Sequence, residues 1–89
     1  MLMLKKKDID KLFTSGKRRV IGNIMIVEYD GVPGYVISAP IKKFKRAVDR
    51  NRIKRMIREN IRNIIPTKSI GIIFIGSKVP KKLNFNLDI

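Results

Sequence analysis

Asn51, Arg55, Arg58 and Arg62 recur at i, i+4, i+7 and i+11, the spacing that places side chains along one side of a helix. The chemistry such a stripe offers is binding. Guanidinium forks donate in pairs to phosphate oxygens and stack on bases. Asn51 can bond a base edge, a phosphate or a ribose. Bond-breaking chemistry has little to work with. Histidine is absent, so the side chain best suited to proton transfer near neutral pH is missing. Asp8, Asp10, Glu28, Asp30, Asp49, Glu59 and Asp88 are scattered, with no spacing that builds a carboxylate metal site. Ser15, Ser38, Ser69 and Ser77 have no histidine to activate them. No catalytic residue is expected in this chain.

The charge balance says what the stripe is for. The 89 residues carry 21 Lys and Arg against 7 Asp and Glu, a net charge of +14. Self-repulsion on that scale favours a polyanionic partner, nucleic acid before an anionic membrane surface. Residues 42–62 hold ten of the basic side chains, among them Lys42, Lys43, Lys45, Arg46, Arg50, Arg52 and Lys54, against Asp49 and Glu59 alone. A second basic cluster spans residues 5–19. A hydrophobic fraction of 44% is too high for a disordered basic tail. No apolar run approaches the roughly 20 residues of a membrane span. The opening MLMLKKK reverses the order of a secretory signal. Cysteine is absent, which excludes disulfides and thiolate metal sites and fits a cytoplasmic protein. The length allows one domain, residues 1–89.

The elements that must position the stripe follow from periodicity. Residues 4–16 read as a short helix with Ile9, Leu12 and Phe13 on one side, Asp8 as its cap and Gly16 as its stop. Residues 17–29 turn strand-like, ending in IMIVEY. Asp30-Gly31 and Pro33-Gly34 mark a turn, with YVISA as the returning strand of a hairpin. Residues 46–65 form the longest helix. Ile53, Ile57, Ile61 and Ile64 fall within an arc of roughly 80°, opposite the basic stripe. SIGIIFI, residues 69–75, is apolar on both faces and reads as a central strand. The resulting class is α+β, an antiparallel-rich sheet with helices packed on it.

Aromatic side chains can stack unpaired bases. Core packing is the better reading for Phe13 and Phe74. For Tyr29 and Tyr35 both readings stand. Phe44, within KKFK, is expected to be exposed near RNA or else to anchor its loop.

The segment from Lys45 to Glu59 resembles the signature of the bacterial ribonuclease P protein component. The matching positions are Ala47-Val48, Arg50-Asn51-Arg52, Lys54-Arg55 and Arg58-Glu59, without a gap. Looser similarity spans residues 4–75, including Leu12, Phe13, Gly16 and Lys17 and the SAPIKKFK lead-in. The resemblance implies a two-layer α/β sandwich of the ribosomal protein S5 domain 2-like type, with a left-handed βαβ crossover containing the signature helix. It implies a subunit of an endoribonuclease that removes the 5′ leader of precursor tRNA, with catalysis carried by an RNA partner. Magnesium would be held mainly by that RNA, and no cofactor by the protein alone. Arg50, Asn51, Arg52, Lys54, Arg55 and Arg58 match the RNA-contacting motif, and Lys42 and Lys43 match a basic pair at a strand end. Arg46 and Arg62 extend the basic surface. Phe13 and Tyr29 correspond to aromatics of a cleft for the leader.

Two departures stand out. Ile9 occupies a position that is often a second cleft aromatic. The family also has a third helix after the last strand, and LNFNLDI falls about where it would begin, which predicts uncovered apolar surface. The rival readings are a ribosomal-type structural RNA-binding protein without a catalytic partner and a protein that cleaves RNA unaided.

Overall fold

Six elements succeed one another in the computed structural model, which describes residues 3–85 and 87. They are α1 (Lys6–Ser15), β1 (Lys17–Ile21), β2 (Ile24–Tyr29), β3 (Gly34–Ser38), α2 (Ala47–Ile61) and β4 (Ser69–Phe74). Both helices are shorter than their patterns. Helix α1 starts after Lys5 with no side-chain cap, so Asp8 serves its first turn by charge alone. Gly16 does end α1, and by a different device from a left-handed turn. Its backbone is extended, and its N–H donates to the Leu12 carbonyl. A Cβ here would run into that carbonyl and come within 2.7 Å of Val27 Cγ1, so only glycine lets the chain leave the helix so close to β2.

The sheet order is β1-β2-β4-β3. Strands β1 and β2 form a hairpin through Gly22 and Asn23, with Gly22 at φ 57 as such a two-residue turn requires. The hairpin expected between β2 and β3 does not form. Strand β4 lies between them, antiparallel to β2 and parallel to β3. The reason is the apolar character of β4 on both faces, which is satisfied only in a sheet interior. The 30–33 loop is tied to the intruding strand, because the Ser69 hydroxyl donates to the Val32 carbonyl at 2.6 Å. The connection β3–α2–β4 is therefore the parallel crossover. Outside β3, Leu4 N–H donates to the Tyr35 carbonyl, and Met3 bridges to Tyr35.

Register divides the sheet into two faces. Ile24, Ile26, Tyr35, Ile37, Ile70, Ile72 and Phe74 share one face and are buried against Ile53, Ile57 and Ile61 of α2. Tyr35 belongs to this core, and its hydroxyl donates to the Ile64 carbonyl at 3.1 Å. Helix α1 covers the opposite face over the row Val27–Gly71–Val36. A Cβ on Gly71 would stand 3.1 Å from Leu12 Cδ2, so this glycine lets α1 lie low on the sheet.

The described residues after β4 contain no helix. They do not leave the α2 layer bare, as the sequence led one to expect. Val79, Leu83 and Phe85 pack on the core, and Leu87 is buried. Asn60 holds this segment to α2: its amide donates to the Met56 and Leu83 carbonyls, and its oxygen accepts from Phe85 N–H.

Ile57 is fully buried. Ile57→Ala is expected to cost about 2–5 kcal/mol in denaturant unfolding. Burial also pushes the Tyr35 phenol above its ordinary value of 10.0, because a phenolate would be desolvated in this core. The unfolded chain then loses this proton first as pH rises. The contribution of Tyr35 to stability is complete below about pH 10 and is lost as pH climbs through the raised folded value. Tyr35→Phe should therefore be less stable than wild type by about 1 kcal/mol at neutral pH. The gap should narrow in unfolding curves taken above about pH 10.

Candidate nucleic-acid interface

The isoleucine seam fixes which way α2 faces. With Ile53, Ile57 and Ile61 against the sheet, Asn51, Arg55, Arg58 and Arg62 stand exposed on the far side. Arg52 is exposed on their flank, and Lys54 is half-buried. Among the described residues the ion pairs are those of Glu28, with Arg19 at 3.3 Å and Lys68 at 3.2 Å. The basic stripe of α2 is thus not engaged by acids among the described residues. Val48, 64% exposed, adds an apolar contact to the outward side of the first turn.

Arg50 differs from its neighbours. It falls on the azimuth of Ile57, and its guanidinium turns back to the lead-in loop. Nη1 donates to the Phe44 and Lys45 carbonyls, both at 2.8 Å. Phe44 is not exposed near RNA; it is buried and meets Phe74 with ring centroids 5.6 Å apart. Lys43 Nζ donates to the Ile75 carbonyl at 2.9 Å. These three residues secure the loop, and Lys42, Lys45 and Arg46 project from it into solvent. Arg46 is the N-cap of α2, a cation at the positive end of a helix dipole, which an approaching phosphate would relieve.

The other layer carries Phe13 and Tyr29, and the structure does not bring them into one cleft. Both are half-buried. Phe13 lies about 140° round α1 from Asp8. Tyr29 sits past the far flank of α1, where it lines adjoining cavities of about 260 and 230 Å³ with Asp8, Lys11 and Ser15. On the side of α1 away from Tyr29, a row of Val20, Met25, Ile73 and Ser38 crosses the sheet. Val20 is 62% exposed and the other three are half-buried, so this row is only partly covered. Arg18 reaches the end of α1 and donates to the Phe13 carbonyl at 3.1 Å. Lys7 and Lys11, which the sequence places only within the basic 5–19 cluster, share one flank of α1 through their i, i+4 spacing.

No group of three or more acidic side chains that could hold a metal ion occurs among the described residues. No described helix is long and apolar enough to cross a membrane.

A four-stranded sheet with α2 on one face, and a basic side on that helix without ion pairs among the described residues, defines an α/β sandwich suited to a nucleic-acid backbone. The comparisons with known proteins carry this further. The family model for ribonuclease P matches residues 1–87. The ribonuclease P protein component of Legionella pneumophila strain Corby is 32% identical over 90 residues, covering 97% of this chain and 78% of that protein. The Nitrosococcus oceani component is 37% identical over 68 residues, covering 70% of this chain and 55% of that one. The solved RNase P protein of Staphylococcus aureus superposes with a TM-score of 0.69 at 26% identity, covering 81% of this chain and 72% of that one. The chain belongs to the ribonuclease P protein family. It is the RNA-binding subunit of an endoribonuclease of tRNA 5′ processing, and its partner is the ribonuclease P RNA.

Arg55→Ala and Arg58→Ala should each flatten the dependence of log affinity on log salt by up to about 1 for this RNA. Arg50→Ala should instead lower the unfolding free energy by about 1–3 kcal/mol, because two carbonyls lose their donor. Titrations at stepped salt and urea unfolding of the same three variants separate the roles.

Proposed function

We propose that the two faces of the molecule, the outward side of α2 and the α1-bearing face of the sheet, serve two RNAs. The outward side of α2, with Lys42, Lys45 and Arg46 beside it, grips the catalytic RNA. The face under α1, beside Phe13 and the Val20–Met25–Ile73–Ser38 row, receives the 5′ leader of precursor tRNA. The observation that carries this reading is the α2 stripe: exposed, free of ion pairs among the described residues, and fixed in spacing by the buried seam behind it.

The chemistry stays with the RNA. Among the described residues no three acids gather where they could hold a metal ion, and the basic surface around them repels a dication. Magnesium is held mainly by the RNA partner, and no cofactor by the protein alone. The protein contributes cations at fixed positions, which neutralise phosphates where catalytic RNA and precursor converge. Less free magnesium is then needed to hold the two polyanions together. A half-covered apolar row suits an unpaired strand, whose bases can lie against it. The setting is the cytoplasm, where precursor tRNA is made.

Reconstitution with a cognate catalytic RNA tests this directly. At low magnesium the protein should raise precursor cleavage and tighten precursor binding, and the gain should shrink as magnesium is raised. Unchanged cleavage and affinity at every magnesium level would sink the proposal.

A further inference from the structure

Tyr29 occupies a groove that the leader face beside Phe13 does not include. Three cavities adjoin along the far flank of α1. The first, by Met3, Lys5, Lys7, Val32 and Pro33, shares Asp8 and Val32 with the second. The second shares Tyr29 and Asp30 with the third, which reaches Ser15, Lys17 and Lys68. The groove thus follows α1 from its first turn to its end. Its middle is an aromatic ring held in place. A Cβ on Gly31 would stand 2.9 Å from two ring carbons of Tyr29, so the ring lies against the bare backbone of that glycine. Gly31 N–H donates to the Tyr29 carbonyl, and Ser69 fixes the same loop through Val32. Lys5, Lys7, Lys11 and Lys17 rim the groove, all exposed, and none is in an ion pair among the described residues. Glu28 in its wall is already held by Arg19 and Lys68.

Asp8 and Asp30 also line the middle of the groove, so the unpaired lysines that could meet phosphates stand on its rim, at Lys5, Lys7, Lys11 and Lys17. A braced aromatic ring with cations on its rim can take a single nucleic-acid strand, with a base on the ring and phosphates on the lysines. The two flanks of α1 also meet at its C-terminal end. There Arg18 bonds the Phe13 carbonyl on one side, and Lys17 lines the Tyr29 groove on the other. We infer that a long leader does not stop at Phe13. It rounds the end of α1 across Arg18 and Lys17 and enters this groove, where Tyr29 stacks one of its distal bases. The inference rests on the reading that Phe13 faces the leader, and it adds a subsite that only longer leaders reach.

The test uses the reconstituted holoenzyme and a ladder of precursors whose leaders grow one nucleotide at a time. With wild-type protein, affinity should rise in two steps as the leader lengthens. Tyr29→Leu, which keeps the apolar bulk and loses the ring, should abolish the later step, about tenfold in affinity, and spare the earlier one. Tyr29→Phe should retain both. The double variant K7Q/K11Q should flatten the salt dependence for long leaders only. Thermal melting of each variant checks that the fold is kept. A single step with wild-type protein overturns the inference, as does an equal loss at every leader length in Tyr29→Leu. If Phe13→Leu leaves the early step intact, the underlying reading of the leader face fails instead, which separates the two.

Discussion

The rest of this structure depends on the seam between Ile53, Ile57 and Ile61 and the sheet. A chain with net charge +14 must fold against its own repulsion, and the densest charge lies on α2 itself. The seam reconciles the two demands. It anchors the helix through side chains that carry no charge and turns every unpaired arginine of the stripe outward. Phosphate contacts gain specificity from fixed spacing, and a rigid helix supplies it. A flexible basic tail would give the same charge without the geometry.

The crossover does for the loop what the seam does for the helix. Strand β4 lies between β2 and β3, so α2 must be carried over the sheet to reach it. That places the 40–46 lead-in at the end of the sheet, where Phe44 packs on Phe74 and Lys43 bonds the Ile75 carbonyl. Arg50 then ties the loop to the helix. Lys43 and Phe44 of the lead-in and Arg50 of the signature helix are therefore spent on shape, and their neighbours Lys42, Lys45 and Arg46 face solvent. Within one motif, contact and support alternate, and the structure sorts them.

Much of this was legible in the residues. The two periodicities of α2 announced a buried side and a basic side, and Ile53, Ile57 and Asn51 lie where they predict. SIGIIFI read as a central strand and is one. Pairing was not legible, because alternation marks a strand without naming its neighbour: YVISA fits equally as the return of a hairpin and as an edge strand beside β4. Side-chain direction in the lead-in was left open for Phe44, which anchors its loop, and was not read for Lys43. Phe44 and Lys43 sit among exposed lysines in sequence, and only the position of β4 draws them in. The resemblance alone joined Phe13 and Tyr29 in one cleft; Tyr29 lies along the flank of α1 that bears Asp8, Lys11 and Ser15, and Phe13 projects from the other flank. The segment after β4 carries turn signals in sequence, yet it packs through Val79, Leu83 and Phe85, held by Asn60.

The central claim is that the outward side of α2 and the α1-bearing face of the sheet meet different RNAs. The natural absence of cysteine makes it directly measurable, because a single cysteine carrying a photocrosslinker can be placed at will. One probe replaces Arg62, at the exposed end of α2, and the other replaces Met25, in the partly covered row beneath α1. In the complete complex the probe on α2 should crosslink to the catalytic RNA, and the probe in the row to the precursor leader. Crosslinks from both positions to the same RNA, or the reverse assignment, would contradict the account.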